Sequence, residues 1–147
     1  FDNAVLDANG TRALKGAPQT FDAWGFINTI QRIANREPAV GAPIFDRAAD
    51  LARAGAIVVD QRHKIVLVEG NYLLLTKDPW VRLAGIFDLK IAIEVSPARL
   101  AARLTRRWHG LGLDDDEIKT RVENHDLINA RLVRDFSSPP DIRFQNG

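Results

Sequence analysis

Segments with helical periodicity alternate with short apolar runs along this chain. A helix is predicted from the N-cap Thr20 to Asn35, because its apolar residues recur at the spacing of one helix face: Trp24, Ile27, Ile30 and Ile33. Strands are predicted over Ala56–Asp60, Lys64–Glu69, Leu89–Val95 and Asp141–Phe144. The second of these is apolar at Ile65–Val68 without a break, as in a parallel strand buried on both faces. Strands alternating with helices predict an α/β fold with a mainly parallel sheet.

Capping signals predict further helices. Ser96 and Pro97 combine an N-cap with a proline in the first turn, and they open a helix that ends near Trp108. The acidic residues Asp114–Glu117 suit the first turn of a helix that extends to about Asp135. Shorter helices are predicted over Phe45–Ala54 and from Asp78 to Leu83, while Phe1–Pro18 has the composition of a loop with one helical turn.

The end of the most apolar predicted strand is a candidate ligand site. Ligands of parallel sheets bind beyond the carboxyl ends of the strands. Glu69 ends its strand and is followed by Gly70, Asn71 and Tyr72. A carboxylate at this place can hold Mg²⁺ beside a triphosphate. A strand that ends in a solvated acid, followed by a turn, explains the same residues and stays open.

Basic residues crowd the helix that begins at Ser96. Arg99, Arg103 and Arg107 share one face, and Arg106 lies on the same side as Arg103. Guanidinium groups suit the stabilisation of a phosphoryl group in transfer, and Gly110 and Gly112 would let this helix end move as a lid. The alternative is a solvated basic face balanced by the acids at 114–117.

Three other polar groups are candidates with equally plain alternatives. Phe45, Asp46, Arg47 and Asp50 follow a loop rich in proline and glycine and could line a substrate pocket, or they could be a capped helix end with a local ion pair. Lys15 lies in a glycine-containing loop and could contact a phosphate or the substrate, or the loop could be a plain turn. A predicted helix contains Asn124, Asp126 and Asn129. Asparagine is disfavoured inside helices, which suggests a functional role for these residues; the alternative is an exposed polar face.

Composition narrows the classes of function. The net charge is +1, so bulk charge favours neither nucleic acid nor a membrane surface as partner. The absence of cysteine excludes disulfides and thiolate chemistry and fits a cytoplasmic location. No apolar run approaches the roughly 20 residues of a membrane span. The chain starts at Phe1 and lacks methionine, so we expect it to be part of a longer protein.

Taken in order, these segments resemble the P-loop small-molecule kinases of the uridine kinase and pantothenate kinase type, including a nucleoside/nucleotide kinase or fructokinase-like subgroup. The resemblance rests on five segments spread over the whole chain: Lys15–Asp22, Pro43–Arg47, Val68–Leu74, Arg103–Trp108 and Asn124–Ala130. It implies one three-layer P-loop kinase domain over residues 1–147, with a short helical lid. It also implies a phosphotransferase that uses ATP and Mg²⁺ on a small-molecule hydroxyl.

The resemblance implies roles for individual residues. Glu69 would help to place Mg²⁺, and the lid arginines Arg103, Arg106 and Arg107 would contact the ATP phosphates during catalysis. The substrate would meet Lys15, Phe45, Asp46, Arg47, Asp50, Asn71 and Tyr72. Asn124, Asp126 and Asn129 would lie near the nucleotide.

The family's Walker A loop, Gly-x-x-x-x-Gly-Lys-Ser/Thr, does not occur in this sequence. The family's N-terminal strand and catalytic aspartate are also expected upstream of Phe1. Kinase activity is therefore expected of the intact parent and not of this fragment alone. A non-catalytic binding or regulatory module of the same fold is the alternative. A nucleic-acid binder is disfavoured by the near-neutral charge, and the resemblance is compatible with a homodimer.

Overall fold

The computed structural model describes residues 1–146, which fall into two compact units. The first unit comprises Phe1–Leu73 and Asp78–Ile86. The second comprises Leu74–Lys77 and the described residues from Phe87 onward. Each unit contains one two-stranded sheet, antiparallel in the first and parallel in the second. That residues 1–147 act as one kinase-like domain stays a prediction.

The first unit begins with helices. Its regular elements are α1 (Asn3–Ala8), α2 (Ala23–Ala34), β1 (Ala39–Asp46) and β2 (Leu51–Asp60), with 3₁₀ turns at Arg12–Leu14, Pro18–Thr20 and Trp80–Leu83. Asp22 caps α2 by accepting a hydrogen bond from the Gly25 amide at 3.0 Å. The predicted cap, Thr20, was wrong: its hydroxyl bonds Gly16 and Ala17 in the preceding turn, so it is not available to the helix.

A long hairpin replaces one predicted helix. β1 and β2 pair antiparallel, with Val40 opposite Val59 and Phe45 opposite Ala52. The register shifts beside Pro43, which has no N–H to donate to the ladder. The prediction of a helix over Phe45–Ala54 was therefore wrong, because cross-strand pairing overrides its local pattern. The predicted strand Ala56–Asp60 is confirmed as part of β2.

The core of the first unit is aromatic at one end. Tyr72 and Trp80 are buried with ring centroids 5.6 Å apart, and Phe21 approaches both rings edge-on at 5.8 and 6.2 Å. Leu83, in the 3₁₀ turn that was predicted as a short helix, is fully buried. The rest of this core consists of Leu6, Ala17, Ala23, Ile27, Ile30 and Val40.

The predicted strand over Lys64–Glu69 was wrong. The segment has no regular secondary structure, and Ile65 and Leu67 are each 89% exposed. A strand is defined by hydrogen bonds to a neighbour, and no strand of residues 1–146 pairs with this segment. Ile65 and Leu67 therefore extend into solvent, whereas Val68 is half-buried outside any sheet.

The second unit contains a parallel strand pair and a set of helices. Its elements are β3 (Ile91–Glu94), α3 (Pro97–Gly110), α4 (Asp115–Arg121), a single π-helical turn (Val122–Asp126), α5 (Leu127–Phe136) and β4 (Ile142–Gln145). β3 and β4 run parallel, with Ile91 opposite Ile142, which confirms both predicted strands. No helix in the described part of the chain is long and apolar enough to cross a membrane.

The caps of these helices follow the sequence signals. Ser96 accepts a hydrogen bond from the Arg99 amide, which confirms the predicted start of α3. Asp114 and Glu117 form a reciprocal capping box at the start of α4. The helix predicted to continue to Asp135 is interrupted by the π-helical turn, a feature that often marks functional positions.

Candidate functional site

In the first unit, Lys15 and Asp50 form the centre of a polar cluster. The Lys15 ammonium donates to Asp50 Oδ1 at 2.9 Å and to Asn3 Oδ1 at 2.7 Å. The Asn3 amide donates to Asp50 Oδ2 at 2.5 Å, and Arg12 Nη1 lies 3.6 Å from the same oxygen. Lys15 Nζ also lies 5.2 Å from the centre of the Phe45 ring. We call these five residues the Lys15 cluster.

The cations of this cluster hold Asp50 in its charged form. The hydrogen bond from Lys15, helped by the charges of Lys15 and Arg12, lowers the pKa of Asp50 from its ordinary value of 3.8. The side chains of Lys15 and Asp50 are 28% and 48% exposed, so solvent and a ligand can reach both. The cluster is therefore accessible, its two cations share one carboxylate, and an aromatic face lies beside it.

The hairpin turn positions Asp50. Asp50 has a φ of 51°, in the left-handed region that aspartate tolerates better than most residues. Asp46 fixes the other side of the turn by accepting from the Ala48 and Ala49 amides, each at 3.1 Å. Arg47 is exposed in this turn. Of the predicted substrate residues here, the structure thus brings Phe45 and Asp50 to Lys15, whereas Asp46 serves the turn.

Tyr72 contacts the loop that carries Lys15. Its side chain is buried, and its hydroxyl donates to the Gly16 carbonyl at 2.7 Å. Gly16 has a φ of 108°, which a side chain would rarely adopt. Tyr72 therefore holds the Lys15 loop in place through Gly16. Asn71 precedes it in an exposed turn.

Glu69 is an exposed single carboxylate. Residues 1–146 contain no group of three or more acidic, histidine or cysteine side chains that could enclose a metal ion. Mg²⁺ in nucleotide sites usually takes only one or two carboxylates, with phosphate and water oxygens completing its shell. The donor set at Glu69 fits that mode of binding and does not fit a cage made by protein alone.

The arginines of α3 differ in their partners. Arg103 donates to the carbonyl and side-chain oxygens of Asn146 at 3.3 and 3.4 Å. Arg106 and Arg107 are exposed, and neither forms an ion pair within the described residues. Two guanidinium groups of this helix therefore carry charge that no described carboxylate compensates.

A second cluster surrounds Trp108 at the end of α3. The indole Nε1 donates to Asp126 Oδ2 at 2.7 Å, and the Arg121 guanidinium lies 4.3 Å from the ring centre. The Arg107 guanidinium lies 5.4 Å from the same ring. We call these four residues the Trp108 cluster. It connects α3, the end of α4 and the π-helical turn.

Asp126 has a hydrogen-bond partner, Trp108, that the sequence did not predict. Asp126 was expected near a nucleotide, and in the structure its carboxylate bonds the indole of Trp108. Asn124 is exposed on the π-helical turn, and Asn129 is half-buried on α5. Among these predicted residues, the structure brings only Asp126 near an arginine that was predicted for the lid, Arg107, through Trp108.

Sequence patterns did not reveal four residues of the two clusters: Asn3, Arg12, Trp108 and Arg121. In the Lys15 cluster, the hydrogen-bonded residues are 12 to 47 positions apart in the sequence. Trp108 and Asp126 are 18 positions apart. Local periodicity carries no information at such distances. The only available signal was the tryptophan beside paired arginines at the end of a helix, since aromatic rings attract guanidinium groups.

A cavity of about 280 Å³ lies within the second unit. It is lined by Ala101, Thr105, His109, Asp115, Ile118, Lys119, Val122, Glu123 and Leu127. His109 Nε2 lies 3.4 Å from Asp115 Oδ1 at this cavity. None of the residues predicted for the site lines it.

Comparison with known proteins identifies the relatives of this chain. A candidate uridine kinase of Schizosaccharomyces pombe is 34% identical over 99% of the chain, and the chain spans 61% of that protein's length. An ATP-dependent kinase-like protein of Aspergillus versicolor is 30% identical over 79% of the chain, which spans 71% of it. No protein-family model matches.

A solved structure gives the same result for the fold. The crystal structure of a candidate fructose transport system kinase from Silicibacter sp. TM1040 matches 98% of this chain with a TM-score of 0.87 and 39% identity. The match covers 69% of that protein. The predicted α/β P-loop kinase fold is thus confirmed, and the chain belongs to the P-loop small-molecule kinases of the uridine kinase and pantothenate kinase type.

Proposed function

We propose that the whole protein transfers the γ-phosphoryl group of MgATP to a hydroxyl of a small molecule. The acceptor hydroxyl oxygen forms a bond to the γ-phosphorus, and the bond from that phosphorus to the bridging oxygen of ADP breaks. The hydroxyl proton passes to a basic group, and ADP leaves. We choose uridine, fructose and pantothenate as the acceptors to test, because these words occur in the names of relatives.

The observation that carries this proposal is the state of the arginines on α3. Arg106 and Arg107 are exposed and free of ion pairs within the described residues, on a helix of a kinase fold. A guanidinium group that is not paired with a carboxylate can bind an anionic group with all its N–H donors. Phosphoryl transfer places negative charge on the equatorial oxygens, which such a group can stabilise. In this role Arg106 and Arg107 stabilise the transferring group, and Arg103 supports them.

The Lys15 cluster suits the acceptor side of the reaction. Its carboxylate and amide oxygens can accept hydrogen bonds from hydroxyl groups, while the Phe45 ring offers an apolar face. Asp50 is ionised at neutral pH, and the hydrogen bond from Lys15, which lowers its pKa, keeps it ionised in more acidic solution. Asp46, Arg47, Asn71 and Tyr72 complete this side as supporting residues, with Tyr72 acting through Gly16.

Glu69 would hold Mg²⁺, directly or through water, together with the phosphates of ATP. When bound, the ion supplies charge neutralisation on those phosphates. Asn124, Asp126 and Asn129 are proposed to lie on the nucleotide side. The Trp108–Asp126 hydrogen bond gives Asp126 a positioning part in that arrangement.

The test is ADP release by the whole protein, dependent on Mg²⁺, with uridine, fructose and pantothenate offered separately. One acceptor should stimulate ADP release well above the rate without acceptor. The double variant Arg106→Ala/Arg107→Ala should lower kcat on the order of 100-fold or more, because each removed donor acts on the transition state. The KM for the acceptor should change little.

Arg134→Ala is the matched control, because Arg134 is an exposed arginine of the same unit that pairs with Asp135. Its kcat should stay within twofold of the unmodified protein. No ADP release with any acceptor, together with no ATP binding in the same samples, would instead support a non-catalytic module of this fold. A change in acceptor KM alone would remove the arginines from phosphoryl transfer.

A further inference from the structure

Arg121 stands out among the cations of the second unit. It is the last residue of α4, and its Nε is buried without a hydrogen-bond partner. It forms no ion pair or hydrogen bond within the described residues, and its one recorded interaction is with the Trp108 ring at 4.3 Å. A half-buried guanidinium group without a counter-ion is unusual, because burial without pairing is costly.

Two guanidinium groups contact the indole of Trp108. Arg121 and Arg107 both lie against the same indole, which is itself fixed by the 2.7 Å bond from Nε1 to Asp126. Asp126 accepts that bond, and neither guanidinium group forms an ion pair with a carboxylate in the part of the chain that the structure describes. A contact between a guanidinium group and a ring face does not use the N–H donors, so these stay available for a ligand.

We propose that Arg121 is a phosphate-binding residue that acts with Arg107, and that Trp108 and Asp126 are the positioning residues that hold this pair. The ligand class is a polyphosphate chain, because a pair of guanidinium groups offers forked donors to more than one phosphate oxygen. This inference rests on the proposed kinase function for its biological meaning, and its test does not need catalysis.

The probe is inorganic tripolyphosphate, titrated calorimetrically into the whole protein at constant ionic strength. Arg121→Ala should weaken its binding about tenfold or more, the usual effect of losing a charge-assisted hydrogen bond. Arg121→Lys should restore part of the affinity, and Arg134→Ala should leave it within twofold. Trp108→Leu, which keeps apolar bulk but releases both guanidinium groups, should also weaken binding.

Equal affinity for tripolyphosphate in Arg121→Ala and the unmodified protein would overturn the inference, as would an equal loss in Arg134→Ala. If Arg121→Ala does not fold, Arg121→Gln takes its place: it keeps most of the length but not the charge, and unchanged affinity would have the same meaning. Failure of the kinase proposal looks different, since tripolyphosphate binding would still depend on Arg121 while no acceptor stimulates ADP release.

Discussion

The Lys15 cluster and the Trp108 cluster use the same three kinds of group and connect them differently. Each contains two cations, one aromatic ring and one carboxylate. In the Lys15 cluster the carboxylate of Asp50 accepts a hydrogen bond from Lys15 and forms an ion pair with Arg12. In the Trp108 cluster the carboxylate of Asp126 accepts from the ring N–H, and the two cations lie against the ring.

The two clusters carry the same net charge, so this difference decides which cations are already paired with a carboxylate when a ligand arrives. Pairing with Asp50 neutralises one charge of the Lys15 cluster and orders the loop and hairpin that carry it. Ring contacts order Arg107 and Arg121 without neutralising either of them. The first cluster is thus suited to neutral, hydroxyl-bearing ligands, and the second to anions.

The largest expected effect comes from the centre of the Trp108 cluster. Trp108→Ala should lower the free energy of unfolding by about 2–3 kcal/mol, because a large half-buried ring is lost. Trp108→Phe should cost about 1–2 kcal/mol, because it keeps ring packing but leaves Asp126 without its donor. Urea unfolding followed by helical circular dichroism measures both.

A matched control for this prediction is Trp24→Phe, since Trp24 is an exposed tryptophan of the first unit. It should change the free energy of unfolding by less than about 0.5 kcal/mol. If Trp108→Ala were as mild as this control, Trp108 would not organise the cluster. The comparison between ring-held and carboxylate-held cations would then fail.

The helices and strands of the second unit were predictable because their signals are local. Ser96 and Pro97 start α3, Asp114 and Glu117 cap α4, and both predicted strands, β3 and β4, form. Caps act within three or four residues, so the sequence alone contains them. The π-helical turn was not predicted, because no composition signal distinguishes it from the helices on either side.

The errors in the first unit have the opposite cause. Residues 45–54 resemble a short helix until the pairing of β1 with β2 is known, and Ile65–Val68 resembles a buried strand until its partners are counted. Strand formation depends on a neighbour that local pattern does not specify. The contacts of Asn3 with Asp50 and of Trp108 with Asp126 were inaccessible for the same reason.

A smaller effect is expected at the Lys15 cluster. Asp50→Asn removes the charge yet keeps a residue that tolerates the left-handed φ of 51°, so it isolates the ion pair from backbone strain. Amide hydrogen exchange at the hairpin turn, at Ala48 and Ala49, should quicken several-fold because the turn loses its attachment to Lys15. Mass spectrometry of hairpin peptides measures this.

Lys15→Met should quicken exchange at the same amides, since it breaks the pair from the other side. Arg62→Met is the control: Arg62 pairs with Asp60 at the far end of the hairpin, so Ala48 and Ala49 should be unaffected. Unchanged exchange in both Asp50→Asn and Lys15→Met would show that the Lys15 cluster does not order the turn.

The smallest effect at neutral pH, and the sharpest test of carboxylate pairing, is the titration of the hairpin acids. The hydrogen bonds from Arg62 lower the pKa of Asp60 from 3.8 to about 2, and the bond from Lys15 lowers the pKa of Asp50. A carboxyl whose pKa is lower in the folded state adds stability above the unfolded value of 3.8. That contribution is lost as pH falls through the folded pKa, so both pairs should be intact at pH 5 to 8 and should weaken only in strong acid.

Carboxyl carbon shifts by NMR should give a midpoint near 2 for Asp60 and below 3.8 for Asp50. Lys15→Met should raise the midpoint of Asp50 alone, and Arg62→Met that of Asp60 alone. If the midpoint of Asp50 were the same in Lys15→Met and in the unmodified protein, Asp50 and Lys15 would not form an ion pair in solution. Lys15 would then lack a carboxylate partner, as Arg121 does, and the contrast between the two clusters would disappear.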